Sequence, residues 1–408
     1  MPAVESVSTG IFVRAGARHE STVEAGISHL LEHMVFKGTR RRSAREIKEA
    51  VEGTGGMLNA FTAEECTCYF AKTLRERYET ALEVLADMVN HAVLPARELE
   101  REKTVILDEI RTVQDSPADQ VDEAIGELMW PDSALGRPVA GNEKTVSRIS
   151  RAQLKRFMRR VYHPGNFVVA VAGPVSHEDV VKQAARLFRR RSRRLPKAGR
   201  ISKRRRRPAV RIVVKPTAQT HFVVGVHAFS RYHPDRYKLA LLSLILGGNM
   251  SSRLFEELRE KRGLAYDIKS GAAFYEETGA LFISAGVEAR KAGGALSAVL
   301  RELLKLSARK ISGGEMDRAK DFFLSQIRLS LEDSLEVMLW AGEASVYRDK
   351  IPTPETIRRK IQAVTAESLR RLSIWLFRQK AFSLALVGPL KENECRRIRQ
   401  LILTGGAS

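Results

Sequence analysis

The sequence predicts an α+β protein of two homologous domains, each an antiparallel-rich mixed sheet with helices packed on one face. A chain of 408 residues is longer than one hydrophobic core normally supports. A strongly basic stretch near its middle separates two halves that share the same succession of apolar and amphipathic segments. We therefore expect a first domain at residues 1–188, a basic linker at 189–208 and a second domain at 209–408.

The internal repeat has an offset of 215 residues. Residues 166–174 and 381–389 are matching apolar runs that end in Gly-Pro. Residues 68–71 and 280–283 predict matching strands, and a long amphipathic helix follows each of them. Because this period is far longer than that of a solenoid repeat, it indicates duplication of a whole domain.

The net charge of +21 is concentrated at the linker. Between Arg186 and Arg207 there are 13 Lys or Arg in 22 residues and no acidic residue, and the remaining chain has a net charge of +8. This stretch lacks the series of aromatic side chains on which nucleic-acid bases stack. We expect a solvated connecting segment and no specific nucleic-acid partner, with weak binding to polyanions as the alternative.

The composition also bears on location. No run approaches the roughly twenty apolar residues of a membrane-spanning helix, so we expect no membrane span. The first residues lack the basic and apolar segments of a secretory signal, and three cysteines are too few for a disulfide framework. These features favour a cytoplasmic location.

The most informative motif is His29-Leu30-Leu31-Glu32-His33, which we place on a helix over residues 25–36. On a helix His33 lies about 40° from His29, and Glu32 lies about 60° to the other side. All three side chains therefore project from one face. Two such imidazoles can bind zinc, and a neighbouring carboxylate can take a proton from metal-activated water. From these five residues alone, two ordinary histidines beside a Glu remain an equal alternative.

A hydrolytic zinc site needs a third protein ligand. In the predicted helix over residues 99–110, Glu102 and Glu109 lie two turns apart on one face, with Val105 between them. We expect this face to turn toward the interior, where a metal would be a partner for a carboxylate. Solvent-exposed acids are the alternative. The second half has apolar residues and a glutamine at the corresponding positions, so the donors are confined to the first half.

The whole chain resembles the pitrilysin/insulinase family of zinc metallopeptidases, in its mitochondrial-processing-peptidase-like branch of bacterial homodimeric type. Residues 26–39 resemble the zinc helix of that family. The third ligand in the family is a Glu 76 residues after the second His, and Glu109 stands at that distance. The resemblance implies one Zn²⁺ per chain, with His29, His33 and Glu109 as its ligands.

The same resemblance implies the other site residues. Glu32 matches the general base, and Glu102 matches an acid that supports the zinc ligands. The family binds its substrate as an added strand, for which the matching residues here are Asn59, Ala60, Phe61 and Thr62. In the second half, Arg259 and Tyr266 match the Arg and Tyr that hold the peptide, and Tyr266 is expected to assist catalysis.

The resemblance therefore predicts a zinc-dependent endopeptidase that hydrolyses unfolded peptides or flexible protein tails. Backbone pairing with an edge strand suits extended substrates. The alternative is a catalytically silent subunit that acts as a binding or assembly partner. In the family four such domains enclose a chamber, which implies a homodimer. Family members usually have a strand upstream of residues 4–14, so an earlier start codon, with or without a targeting signal, is a further alternative.

Overall fold

The structure is a computed structural model that describes residues 4–188, 201, 207–347, 350–378 and 380–405, so most of the predicted linker lies outside it. The elements of the first half are β1 (Ser6–Val13), α1 (Ile27–Val35), α2 (Ala44–Val51), β2 (Met57–Thr62), β3 (Thr67–Leu74), α3 (Tyr78–His91), α4 (Ala96–Asp115), α5 (Pro117–Met129), α6 (Glu143–Arg148), α7 (Arg151–Val161), β4 (Phe167–Ala172) and α8 (His177–Leu187). Those of the second half are β5 (Ala209–Val214), β6 (Thr220–Ala228), α9 (Arg236–Gly247), β7 (Ala265–Phe274), β8 (Gly279–Val287), α10 (Ala292–Ala308), α11 (Gly313–Ser330), α12 (Ser334–Val346), α13 (Pro354–Gln362), α14 (Ala366–Phe377), β9 (Ser383–Gly388) and α15 (Glu392–Leu403). Among the described residues, no helix is both long and apolar enough to cross a bilayer.

Two sheets confirm the predicted fold class. The first sheet has the strand order β2-β3-β1-β4, with every neighbouring pair antiparallel. The second has the order β5-β9-β6-β8-β7, in which β5 and β9 pair in parallel and the other neighbours are antiparallel. Strands β1 and β6 hold equivalent central positions, as the duplication predicts.

The described chain forms two compact units, one on each sheet. Over their described residues, unit 1 comprises Met1–Arg111, Ser133–Arg200 and Arg328–Pro352, and unit 2 comprises Thr112–Asp132, Ile201–Ile327 and Thr353–Ser408. Each unit therefore contains one helix from the other half of the sequence, α12 in unit 1 and α5 in unit 2. The predicted boundaries did not include this exchange, because an amphipathic pattern marks the apolar face of a helix and not the sheet on which it packs.

Each exchanged helix packs over a glycine in a central strand. In unit 1, α12 packs on β1, and a Cβ atom at Gly10 would overlap the Sδ atom of Met338. In unit 2, α5 packs on β6, and a Cβ atom at Gly225 would overlap the Sδ atom of Met129. Gly10 and Gly225 are 215 residues apart, the offset of the repeat. In both units the missing side chain lets a helix approach the sheet closely.

The two faces of the first sheet follow from the alternation of side chains along β1. Ile11 and Val13 are buried in the main core of unit 1, together with residues of α1 and α3. Phe12 points to the opposite face and packs with Met338 of α12. Helices cover one face as predicted, and α12 covers part of the other.

Candidate metal centre

Helix α1 carries the histidine motif and spans Ile27–Val35, slightly less than predicted. At its N-terminus Gly26 has a φ of 92°, in the left-handed region that favours glycine. The buried Glu20 carboxylate accepts hydrogen bonds from the backbone N–H groups of Gly26, at 2.9 Å, and Ser28, at 2.8 Å. The apolar side chains that anchor the helix in the core are Ile27, Leu30, Leu31, Met34 and Val35. The opposite face of α1, with the motif side chains, is only half-buried.

Three donor side chains converge between α1 and α4, and all of them belong to unit 1. One carboxylate oxygen of Glu109 lies 3.8 Å from His29 Nε2, and the other lies 3.8 Å from His33 Nε2. One potential ligand atom from each residue lies within 4.8 Å of the others. The two imidazole rings meet edge to face, with their centroids 4.7 Å apart. The structure thus brings together two helices whose donors are far apart along the chain.

The neutral ring of His29 and the hydrogen bond of His33 suit metal binding. Burial, and next the neighbouring His33, lowers the pKa of His29 to about 4, so its ring is neutral near pH 7. His33 Nδ1 lies 3.0 Å from a carboxylate oxygen of Glu102. If Nδ1 donates this hydrogen bond, the lone pair of His33 Nε2 faces Glu109 and is free to bind a cation.

Glu102 is buried and links His33 to a lysine. Its second carboxylate oxygen lies 2.6 Å from Lys37 Nζ, so the acid has both a cationic and an imidazole partner. The prediction that the whole face from Glu102 to Glu109 turns inward is wrong, because Val105 is 43% exposed and Glu109 is 45% exposed. The buried stripe of α4 instead consists of Leu99, Glu102, Ile106 and Ile110. Its spacing places Val105 and Glu109 at the margin of the stripe.

Glu32 lies beside this cluster and contacts the edge strand. The hydroxyl group of Thr62 donates a hydrogen bond of 2.5 Å to the Glu32 carboxylate. Burial raises the pKa of Glu32, and the negative charge of Glu109 adds to this effect. The Thr62 hydrogen bond and the His33 ring oppose it. On balance the pKa of Glu32 lies above its usual value.

Strand β2 is an edge strand, as predicted for the substrate-binding segment. Within the described residues it pairs with β3 along one side, and the other side has no strand partner. Leu58 and Ala60 face the core of unit 1, whereas Asn59 and Phe61 are exposed. Thr62, at the end of β2, contacts Glu32. The unpaired edge therefore ends beside the motif helix.

Arg259 and Tyr266 lie in unit 2 and contact each other. Arg259 is part of a π-helical segment, Phe255–Lys261, and its guanidinium carbon lies 5.8 Å from the centre of the Tyr266 ring. Tyr266 stands at a bulge near the start of β7 and is 74% exposed. A bulge re-aims a side chain away from the regular ladder. The structure brings these two residues together, in a different unit from the metal-ligand cluster.

The donor chemistry of the cluster fits zinc. Two imidazole nitrogens and one carboxylate are the protein ligands of several hydrolytic zinc sites, which leave a coordination position open for water or substrate. In addition, the buried Nδ1 atom of His29 has no hydrogen-bond partner among the described residues. These residues therefore form a set that could bind Zn²⁺.

Two supporting contacts were not predicted from the sequence. Lys37 lies in the turn after α1, beyond the helix whose periodicity the sequence indicates, so no helical spacing pointed to its contact with Glu102. Glu20 caps α1 from across a loop. The capping-box pattern joins residues three apart, so it does not predict this contact. Both contacts depend on how the chain folds back on itself.

Comparison with known proteins gave matches along the chain. Residues 1–143 match the family model "Insulinase (Peptidase family M16)", and residues 148–323 match "Peptidase M16 inactive domain". The uncharacterized zinc protease YmxG of Bacillus subtilis is 35% identical over 95% of this chain and 94% of its own length. An uncharacterized zinc protease of Streptomyces coelicolor is 33% identical over 98% of this chain and 89% of its own. In fold, the chain is similar to a protease from Helicobacter pylori, with a TM-score of 0.89 at 22% identity over 95% and 94% of the two chains.

Proposed function

This chain belongs to the insulinase family, peptidase family M16, and from that premise we propose that it is a zinc-dependent endopeptidase acting on unfolded peptides or flexible protein tails. The observation that carries the proposal is the convergence of His29, His33 and Glu109, with ligand atoms within 4.8 Å of one another. Glu32 lies on the same helix face as both histidines. This combination gives a metal site and a proton acceptor side by side.

His29, His33 and Glu109 would hold one Zn²⁺ per chain. The ion supplies Lewis acidity, which activates water and polarises a carbonyl group. Glu102 and Lys37 keep the His33 ring in the orientation and tautomer that bind a cation. The protein thus prepares the donor set before the metal binds.

Glu32 is the proposed general base. It accepts a proton from the attacking water and then delivers it to the amine of the leaving peptide fragment. The hydrogen bond from Thr62 orients the carboxylate for both transfers. Burial raises the pKa of Glu32, a shift in the direction that favours the second transfer.

The substrate would add to the free edge of β2 as a further strand. Backbone hydrogen bonds to residues 59–62 would give affinity, and neighbouring side chains would give selectivity. An extended backbone is available in unfolded peptides and flexible tails but not in most folded proteins. We assign peptide binding also to Arg259 and Tyr266, and we expect a homodimer with two such sites.

The test is the Glu32→Gln variant, which keeps the size of the side chain and removes its basicity. We expect one zinc per chain by metal analysis in both proteins, and a loss of several orders of magnitude in hydrolysis of a quenched fluorescent peptide. A chelator should abolish activity of the unmodified protein, and added zinc should restore it. Unchanged hydrolysis in the variant would refute the assigned base.

The silent-subunit alternative makes different predictions. It requires no metal and no hydrolysis in the unmodified protein, although peptides can still bind. The retention of two histidines, Glu32 and Glu109 favours the enzyme, since a binding subunit does not need this donor set. Metal analysis together with the peptide assay separates the two.

A further inference from the structure

A cavity of about 250 Å³ opens beside the metal-ligand cluster in unit 1. It shares two walls with the proposed catalytic site, because Glu32 and His33 line both. Its other lining residues come from the turn after α1, from α2 and from α4, and they are Phe36, Lys37, Ala44, Lys48 and Glu102. A side chain placed in this cavity therefore belongs to a substrate residue close to the bond that Glu32 would help to cleave.

Most charged groups that line the cavity already have partners. Glu102 is bound by Lys37 at 2.6 Å and contacts His33 at 3.0 Å. Glu32 accepts the hydrogen bond from Thr62. Lys48 differs from them, since among the described residues it has no ion pair or side-chain hydrogen bond, and it is exposed. Among the described residues, the Lys48 ammonium group is therefore the cation of the lining that has no acidic partner.

We propose that this cavity binds a carboxylate of the substrate next to the scissile bond, and that Lys48 determines this specificity. The inference rests on the proposed peptidase function. Phe36 and Ala44 offer apolar surface for the stem of the bound group, and Lys48 offers a cation for its tip. The carboxylate has two sources, an acidic side chain or the free C-terminus of a short peptide.

The charge distribution argues against the other occupants. A basic side chain would face Lys48 and find the carboxylate of Glu102 already bound by Lys37. A purely apolar side chain would displace water from the Lys48 ammonium group without giving it a partner. A carboxylate would give the Lys48 ammonium group an ion-pair partner.

The binding experiment uses the protein treated with a metal chelator, so that peptides remain intact and the Glu32 carboxylate that lines the cavity is kept. Labelled peptides are made in pairs that have either Glu or Gln at a single position. Each peptide is made once with a free C-terminus and once with an amidated C-terminus. We expect the acidic member of one pair to bind about three- to fivefold more tightly, the modest ratio of a solvent-exposed ion pair. If Glu is preferred over Gln at one position, the bound carboxylate is that side chain. If the free C-terminus is preferred over the amide, the bound carboxylate is the C-terminus.

The lysine is then tested by Lys48→Met and Lys48→Glu under the same conditions. We expect Lys48→Met to abolish the preference and Lys48→Glu to reverse it in favour of Gln or amide. The control is Lys155→Glu, which makes the same charge change at an exposed lysine of α7 outside the cavity lining. It should leave the preference unchanged.

The outcomes separate this inference from the proposed function. If the unmodified protein cleaves peptides but no carboxylate preference exists, or if Lys48→Glu retains it, the inference is wrong and the peptidase assignment stands. A preference that depends equally on Lys155 would indicate a general effect of net charge and would also overturn the inference. Carboxylate selection through Lys48 without any hydrolysis would support the cavity assignment and contradict the peptidase.

Discussion

Thr62 donates a hydrogen bond of 2.5 Å to Glu32, and this contact joins the edge strand β2 to the motif helix α1. The proposed base is therefore oriented by the strand that we expect to bind the substrate. The bond also favours the charged form of the Glu32 carboxyl group, in opposition to the burial that raises its pKa. In the proposed function, one hydroxyl group would therefore connect substrate binding with proton transfer.

Replacement of Thr62 by Val should lower kcat/KM for peptide hydrolysis by roughly tenfold, the effect of losing one positioned hydrogen bond to a charged group. Zinc content should not change, because Thr62 is not one of the proposed zinc ligands. Steady-state kinetics and metal analysis check both points. Thr62→Ser keeps the hydroxyl group and should recover most of the activity; equal losses in the two variants would contradict the assigned role.

Loss of the contact between Glu102 and His33 should weaken zinc binding. Glu102→Gln removes the charge that binds Lys37 and orients the His33 ring. We expect zinc affinity to fall by about 10–100-fold, as is typical for partners of ligating histidines. Competition with a chromophoric chelator measures this affinity. Glu100→Gln, at an exposed position of the same helix, is the matched control and should bind zinc normally.

Asp87 should make stability depend on pH. Burial tends to raise its pKa, but hydrogen bonds from Thr39, Arg42 and His91 outweigh this effect, so the pKa lies below its usual value of 3.8. A depressed folded-state pKa gives stability that is present above pH 3.8 and is lost as the pH falls through the folded-state pKa.

Asp87→Asn should therefore reduce the free energy of unfolding at pH 7 by roughly 1–3 kcal/mol. The difference from the unmodified protein should shrink below pH 3.8. Urea unfolding followed by circular dichroism at several pH values measures both effects. Asp179→Asn, at an exposed site of α8, serves as the control. A difference that is constant with pH would show that the charge of Asp87 is not responsible.

The packing of the exchanged helix α12 on β1 can be tested at Gly342. A Cβ atom there would overlap the buried ring of Phe12 in β1. We expect Gly342→Ala to destabilise the protein by roughly 1–3 kcal/mol, the usual cost of overpacking. In Gly294→Ala, within α10, the added Cβ atom would meet open space, and this variant should be neutral or more stable by up to about 1 kcal/mol. Thermal unfolding compares them, and equal stability of the two variants would contradict this packing.

Much of the candidate site was predictable because its signals are local or repeat at helical spacing. The histidine motif predicted α1. At the start of α2, Ser43 and Glu46 form a capping box with both reciprocal hydrogen bonds, which is another pattern of local spacing. The spacing of Glu102 and Glu109 predicted that both point toward one side of α4. It did not predict that Val105 would be exposed, because the width of a buried stripe depends on which neighbours cover it.

By itself, the sequence determined the fold class, the duplication and the residue types of the metal cluster, since side-chain periodicity and short motifs follow from the geometry of single helices and strands. The tertiary structure alone decided that Lys37 binds Glu102, that Thr62 contacts Glu32, and that α5 and α12 pack on the sheets of the opposite halves. These contacts join residues on separate elements. Their partners are chosen by the packing of whole elements, which no local pattern encodes.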